Sequence, residues 1–173
     1  MHISRIRRMR AWALVMAAVL AGSAGCGYSI RAPFDPAVRT VYVPVFRSIT
    51  FRRDVNFQLT ELVQKEIEKR TPFKVVGTPE GADMILDGEI NFADKNIIVE
   101  NPFNLPRQLT ATLFANVKWT HNPPLEKEKT AGPVVVSATV NFVPEVGETS
   151  LTAFLHANQK IATQIVDMME EPW

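Results

Sequence analysis

The chain contains a single cysteine in 173 residues, so no disulfide can form within it and its fold must rest on apolar burial. Its histidines, His2, His121 and His156, have no ligand-spaced neighbours, so no metal site is expected. No apolar run reaches the ~20 residues that a membrane-spanning helix needs. The formal charge of +1 gives no basic footprint for nucleic acid. Missing too are G-x-S-x-G, H-E-x-x-H and a phosphate-cradling glycine loop. Asp87 and Glu89 share a predicted strand face and could be read as a carboxylate pair. Same-face acids on an exposed strand are usually solvated surface, and neither a catalytic centre nor a cofactor is expected. There are no internal repeats and no low-complexity segment.

What is present begins with Arg5, Arg7, Arg8 and Arg10 and no acid, which favours an amino terminus kept on the inner side of a membrane. Ala11–Ala21 is apolar but about half a spanning length, as in a signal-peptide core. Gly22, Ser23, Ala24 and Gly25 then give a narrow extended segment before Cys26. This pattern resembles the lipobox of bacterial lipoproteins, whose cysteine thiol receives a lipid and becomes the mature amino terminus. It departs at Ser23, where a large aliphatic residue is usual. The expectation is a signal peptide at 1–25, a lipidated tether at 26–39 and one domain at 40–173. Loss of the signal arginines turns the mature chain slightly acidic. Each buried methylene contributes ~0.8 kcal/mol, and stable anchoring takes two chains. The connector Gly27–Arg39 reaches at most ~45 Å, so the domain works near the membrane surface.

Thr40–Phe46 (TVYVPVF) is a β-branched and aromatic run, with Val41, Val43 and Val45 on one predicted strand face and Pro44 placing it at an edge or at its end. From Asp54, the residues Val55, Leu59, Leu62, Val63 and Ile67 recur at helical spacing until Thr71 and Pro72. Phe73–Val76 is a short strand. Asp83–Phe92 is a longer one, with Met84, Leu86, Ile90 and Phe92 facing one way and Asp87, Glu89 and Asn91 the other, and Asn96–Val99 would fold back on it across Asp94 and Lys95. Residues 101–108 form a proline-bearing loop. Leu109–Thr120 and Val134–Phe142 alternate most clearly and predict a long antiparallel hairpin joined by the polar loop His121–Gly132. A last helix from Thr149 or Ser150 carries Leu151, Phe154, Leu155, Ile161, Ala162, Ile165, Val166 and Met169 on one stripe.

Two single-stripe helices and a sheet with one apolar face satisfy one another in an α+β two-layer sandwich, with both helices on one face of a mostly antiparallel or mixed sheet. The other face stays open. Thr110, Thr112, Asn116, Lys118, Ser137, Thr139 and Asn141 lie on it, with Lys118 its only charge on the two clearest strands. Threonine simply suits strands; equally, solvated faces usually carry more charge, which makes this face a candidate for docking on another protein. Arg47, Arg52 and Arg53 cluster before the first helix and could hold phosphates through forked guanidinium contacts, or form a solvated turn.

Cys26–Arg31 (CGYSIR), Val41–Thr50 (VYVPVFRSIT), a helix opening FQLTEL, Ala82–Ile90 (ADMILDGEI) and a closing helix with KIATQIV together resemble the LptE family of lipopolysaccharide-assembly lipoproteins. The similarity runs in order along the mature chain, departing at Ser48 and Ala32. It implies two helices on a sheet, and a non-catalytic lipoprotein held in the outer membrane by its lipid. Its partners would be a large LptD-like β-barrel, which it plugs, and lipopolysaccharide, whose phosphates Arg47, Arg52 and Arg53 would contact. Gly27 lacks the Asp that commonly retains lipoproteins at the inner membrane, so export outward is permitted. The alternative is a periplasm-facing lipoprotein that regulates a cell-wall synthase or builds a secretion channel.

Overall fold

In the computed structural model the described residues are 34–52 and 54–170, so the expected signal peptide at 1–25, Cys26 and Arg53 lie outside them. Two long strands form the spine: β4 (Met84–Glu100) pairs antiparallel with β5 (Pro106–His121) from Met84 opposite His121 to Glu100 opposite Pro106. β1 (Thr40–Tyr42) and β2 (Arg47–Ser48) lie parallel to β4, β3 (Lys74–Val76) lies parallel to β1, and β6 (Val134–Phe142) lies antiparallel to β5. The sheet order is β3-β1-β4-β5-β6, a mixed sheet with β3 and β6 at its edges.

The expected stop at Phe92 is not there. Asp94 and Lys95, read as a turn, have cross-strand partners in Thr112 and Ala111, and the chain reverses only at Asn101–Leu105. That reversal is built by Asn101, whose Oδ1 accepts the backbone N–H groups of Phe103 (2.9 Å) and Leu105 (3.0 Å), and by Asn104 at φ 58°. A register shift between Ile90 and Phe92 keeps Ile90 in the core and turns Phe92 to the opposite face, which a strict two-residue alternation misassigns. Beyond it the hairpin outruns the helices, leaving Ile97, Ile98, Val99, Phe103 and Leu105 exposed.

The TVYVPVF run is also interrupted. Val41 pairs with Met84 and Arg47 with Glu89, so the offset to β4 changes by one residue between β1 and β2. Pro44, which has no N–H to give, lies in the gap. As a result Val45 is exposed, and Phe46 takes the inward position instead. β1 itself lies between β3 and β4, and the strand ends before Pro44.

α1 (Asp54–Arg70) and α3 (Ser150–Met169) pack side by side on one face of the sheet. Leu59, Val63 and Ile67 are fully buried on α1, each contributing ~1.5–3 kcal/mol over exposure. α3 buries Phe154, Ile161, Ile165, Val166 and Met169 together with Ala153, Ala157 and Ala162, whereas Leu151 and Leu155, expected on this stripe, are exposed. The small alanines let the helix approach closely, and the leucines flank the contact. Thr149 caps α3, its Oγ1 accepting the Thr152 N–H at 3.2 Å. Where the helices meet, Arg70 bonds Asp167 (2.6 Å) and Glu170 (2.9 Å). Among the described residues no helix is long and apolar enough to cross a membrane.

Candidate functional site

Polar side chains of α1 complete the broken strand. Gln64 Nε2 donates to the Val43 carbonyl (3.1 Å) and Asn56 Nδ2 to the Phe46 carbonyl (2.9 Å), while Thr60 Oγ1 accepts the Phe46 N–H (3.0 Å). The helical spacing of Asn56, Thr60 and Gln64 was visible in the sequence, but nothing there marked a backbone gap for them to fill. Phe46, so held, projects over Gly88 on the helix side of the sheet.

On the opposite side lies the open face. Thr110 stands opposite Asn141 and Thr112 opposite Thr139; Ser137 faces Phe114, and Asn116 faces Val135. Across the β4 seam, Asp87 stands opposite Lys118, Glu89 opposite Asn116 and Asp94 opposite Thr112. The polar residues singled out on β5 and β6 thus share one face, but β4 and β2 bring charge to it. A shallow groove of about 570 Å³ there is lined by Pro44, Val45, Arg47, Asp87, Glu89, Asn116, Lys118 and Pro133. Next to it Phe92 and Phe114 meet edge to face at 5.7 Å between centroids, both partly exposed. Phe92 was expected in the core, so this aromatic pair was hidden from the sequence by the bulge.

Of the three arginines, the two described ones lie on different sides of the sheet. Arg47 is exposed in the groove on the open face, whereas the Arg52 guanidinium carbon lies 4.5 Å from the ring centroid of Phe154 on the helix side. Arg53 lies outside the described residues.

His121 has a local duty. His121 Nδ1 hydrogen-bonds Glu128, whose other oxygen accepts the N–H groups of His121 and Leu125, both at 3.0 Å, fastening the short helix α2 (Glu126–Thr130) to the end of β5. Burial works to raise the Glu128 pKa, and these hydrogen bonds outweigh it to hold the carboxyl below its usual range. His156 is exposed on α3. Among the described residues no hydroxyl is hydrogen-bonded to a histidine, and no three His, Cys, Asp or Glu side chains gather in a metal-holding group. Beside the α2 loop lies an apolar cavity of about 150 Å³, lined by Met84, Val117, Trp119, Val134 and Met168, and the Trp119 indole N–H is buried without a partner.

A broken parallel strand, a long antiparallel hairpin and two helices on one face are the frame in which the comparisons with known proteins fall. The family model described as LptE, lipopolysaccharide-assembly, matches residues 38–171. The chain belongs to the LptE family. No curated relative matches the sequence. Among solved structures, a lipoprotein B from Nitrosomonas europaea is 16% identical, with 81% of this chain and 88% of that chain covered and a TM-score of 0.52. A hypothetical protein from Chlamydia trachomatis is 8% identical, with 77% and 96% covered and a TM-score of 0.51. At such identities the two share the fold with this chain. That fold, helices on one side of a mixed sheet, is the one the LptE resemblance implied.

Proposed function

We propose that this LptE-family chain is a non-catalytic lipoprotein, anchored through Cys26 in the outer membrane, whose domain seats as a plug inside an LptD-like β-barrel and helps insert lipopolysaccharide into the outer leaflet. The family match across residues 38–171 carries the reading. The uncovered face of β4, β5 and β6 supports it, because that face offers hydroxyl and amide groups and an exposed aromatic pair to a protein wall. Arg47 and Lys118 in the groove, Arg52 over the Phe154 ring, and Arg53, which lies outside the described residues, are the candidate cations for glycolipid phosphates.

The test is purification of the full-length protein from native membranes in mild detergent, with identification of its stoichiometric partners. A single large outer-membrane β-barrel is the expected result. Recovery of a cell-wall synthase instead would replace the proposal with the regulatory alternative. In parallel, Cys26→Ala should move the protein from the membrane to the soluble periplasmic fraction; retention at the membrane would remove the lipid anchor from the proposal.

A further inference from the structure

Trp119 stands at a corner where the sheet runs out of strands. β6 begins at Val134, opposite Val117, so β5 continues to His121 with no strand outside it among the described residues. Trp119 pairs with the fully buried Leu86 and is therefore on the helix side, because cross-strand partners share a face. The chain crosses this corner as α2, whose sequence EKEKT brings nothing apolar, and then as Ala131 and Gly132, which are small. The corner is left hollow, and the result is the cavity of about 150 Å³. Met84 and Val117 wall it from the sheet and Met168 from α3, while the remaining wall is the α2 segment, fastened through Glu128. Two charged residues also line it, Lys118 and Glu128. Both Glu128 oxygens are engaged by His121 and Leu125, and Lys118 stands on the open face opposite Asp87. The group left over is the Trp119 indole N–H, which is buried and has no acceptor among the described residues.

We infer that this corner is a binding site for a neutral, ring-sized apolar molecule carrying one hydrogen-bond acceptor, which the Trp119 indole N–H orients and the α2 segment encloses. Apolar walls around one placed polar group are the make-up of a small-molecule site. A buried donor without an acceptor costs stability, so a ligand that supplies one is favoured over a ligand that does not. Water is a poor substitute, since a buried water needs roughly two to four polar partners and these side chains offer a single free one. A cavity of about 150 Å³ with apolar walls takes up benzene, which sets the ligand at about six or seven non-hydrogen atoms. An ion is excluded, because the walls would strip its hydration without pairing it. The site is on the helix side of the sheet, so it is independent of what the open face docks on.

Pyridine and benzene are the probes, alike in size and both uncharged at neutral pH, with an acceptor on pyridine alone. Each is titrated into the isotope-labelled full-length protein and followed by NMR. Both should perturb the Trp119 indole N–H signal, which is identified by its loss in Trp119→Phe, and pyridine should move the indole proton downfield as the hydrogen bond forms. In Trp119→Phe, which keeps an aromatic wall and removes the donor, binding read from the Gly132 amide should show the affinity for pyridine relative to benzene falling at least about fivefold. Glu128→Ala, which unfastens α2, should weaken both probes alike and leave their ratio as it was. The fold of each variant is checked from the remaining amide signals of the same spectra. If neither probe perturbs Trp119 and Gly132, or if the ratio is the same with and without the indole N–H, the inference fails. Unchanged binding of both probes in Glu128→Ala would remove α2 from it as the enclosing wall.

Discussion

A β-carbon placed on Gly88 would lie 2.7 Å from Cδ2 of the Phe46 ring, closer than real side chains approach. The ring is itself fixed, because its residue's N–H and C=O are both held by α1. Gly88→Ala should therefore force the ring or the strand aside and cost ~1–3 kcal/mol. Urea denaturation of the purified protein measures this. Gly132→Ala, where nothing lies within 4 Å of the added carbon, is the control and should change stability by less than ~0.5 kcal/mol.

Thr60 is buried and serves the backbone of another element, so Thr60→Val, which keeps its shape, isolates the hydroxyl. The Phe46 N–H is left without its acceptor, and a loss of ~1–3 kcal/mol is expected. Thr60→Ser should recover most of it, apart from the lost methyl group. If valine proved neutral, the Thr60 hydroxyl would contribute nothing to holding the broken strand.

Asp83 gives the fold an acid dependence. Its Oδ2 accepts the N–H groups of Arg39 (2.8 Å) and Thr40 (2.9 Å) and the Thr40 hydroxyl (2.9 Å), and these hydrogen bonds, the Arg39 one foremost, hold its pKa below the ordinary 3.8. A carboxylate with a lowered folded pKa contributes stability that is complete above the ordinary value and lost as the pH falls through the folded one. Stability measured against pH should thus fall more steeply below about pH 4 in the natural protein than in Asp83→Asn.

The hairpin tip should behave oppositely to the core. Phe103 is 83% exposed, so Phe103→Ser is expected to alter unfolding free energy by less than ~0.5 kcal/mol. A larger loss would mean that the ring packs on something in the folded protein.

The two-layer frame was legible because it depends on periodicities that burial enforces directly: Val55, Leu59, Val63 and Ile67 on α1, and the alternation from Leu109 to Val117 on β5. Shifts of a single residue escaped. Pro44 and the Ile90–Phe92 bulge each reverse the facing of the residues after them, moving Val45 and Phe92 out of the core. Nothing in a one-dimensional alternation announces such a shift, since either facing offers an apolar residue to the core. The β4–β5 hairpin was misread for a related reason: Asp94 and Lys95 look like turn residues but stand in a ladder whose partner strand begins at Pro106. The open face was readable in part, through the threonines of β5 and β6, and its acids entered only once β4 was seen beside them.

The placement of β1 has a mechanical consequence. The first strand among the described residues is not at the rim of the sheet but clamped between β3 and β4, and its entry is fastened by Asp83. A pull applied from the amino-terminal side along the strand direction cannot unzip it one bond at a time. It must shear both ladders together, so tension from an anchored chain would load this strand in shear on both sides at once.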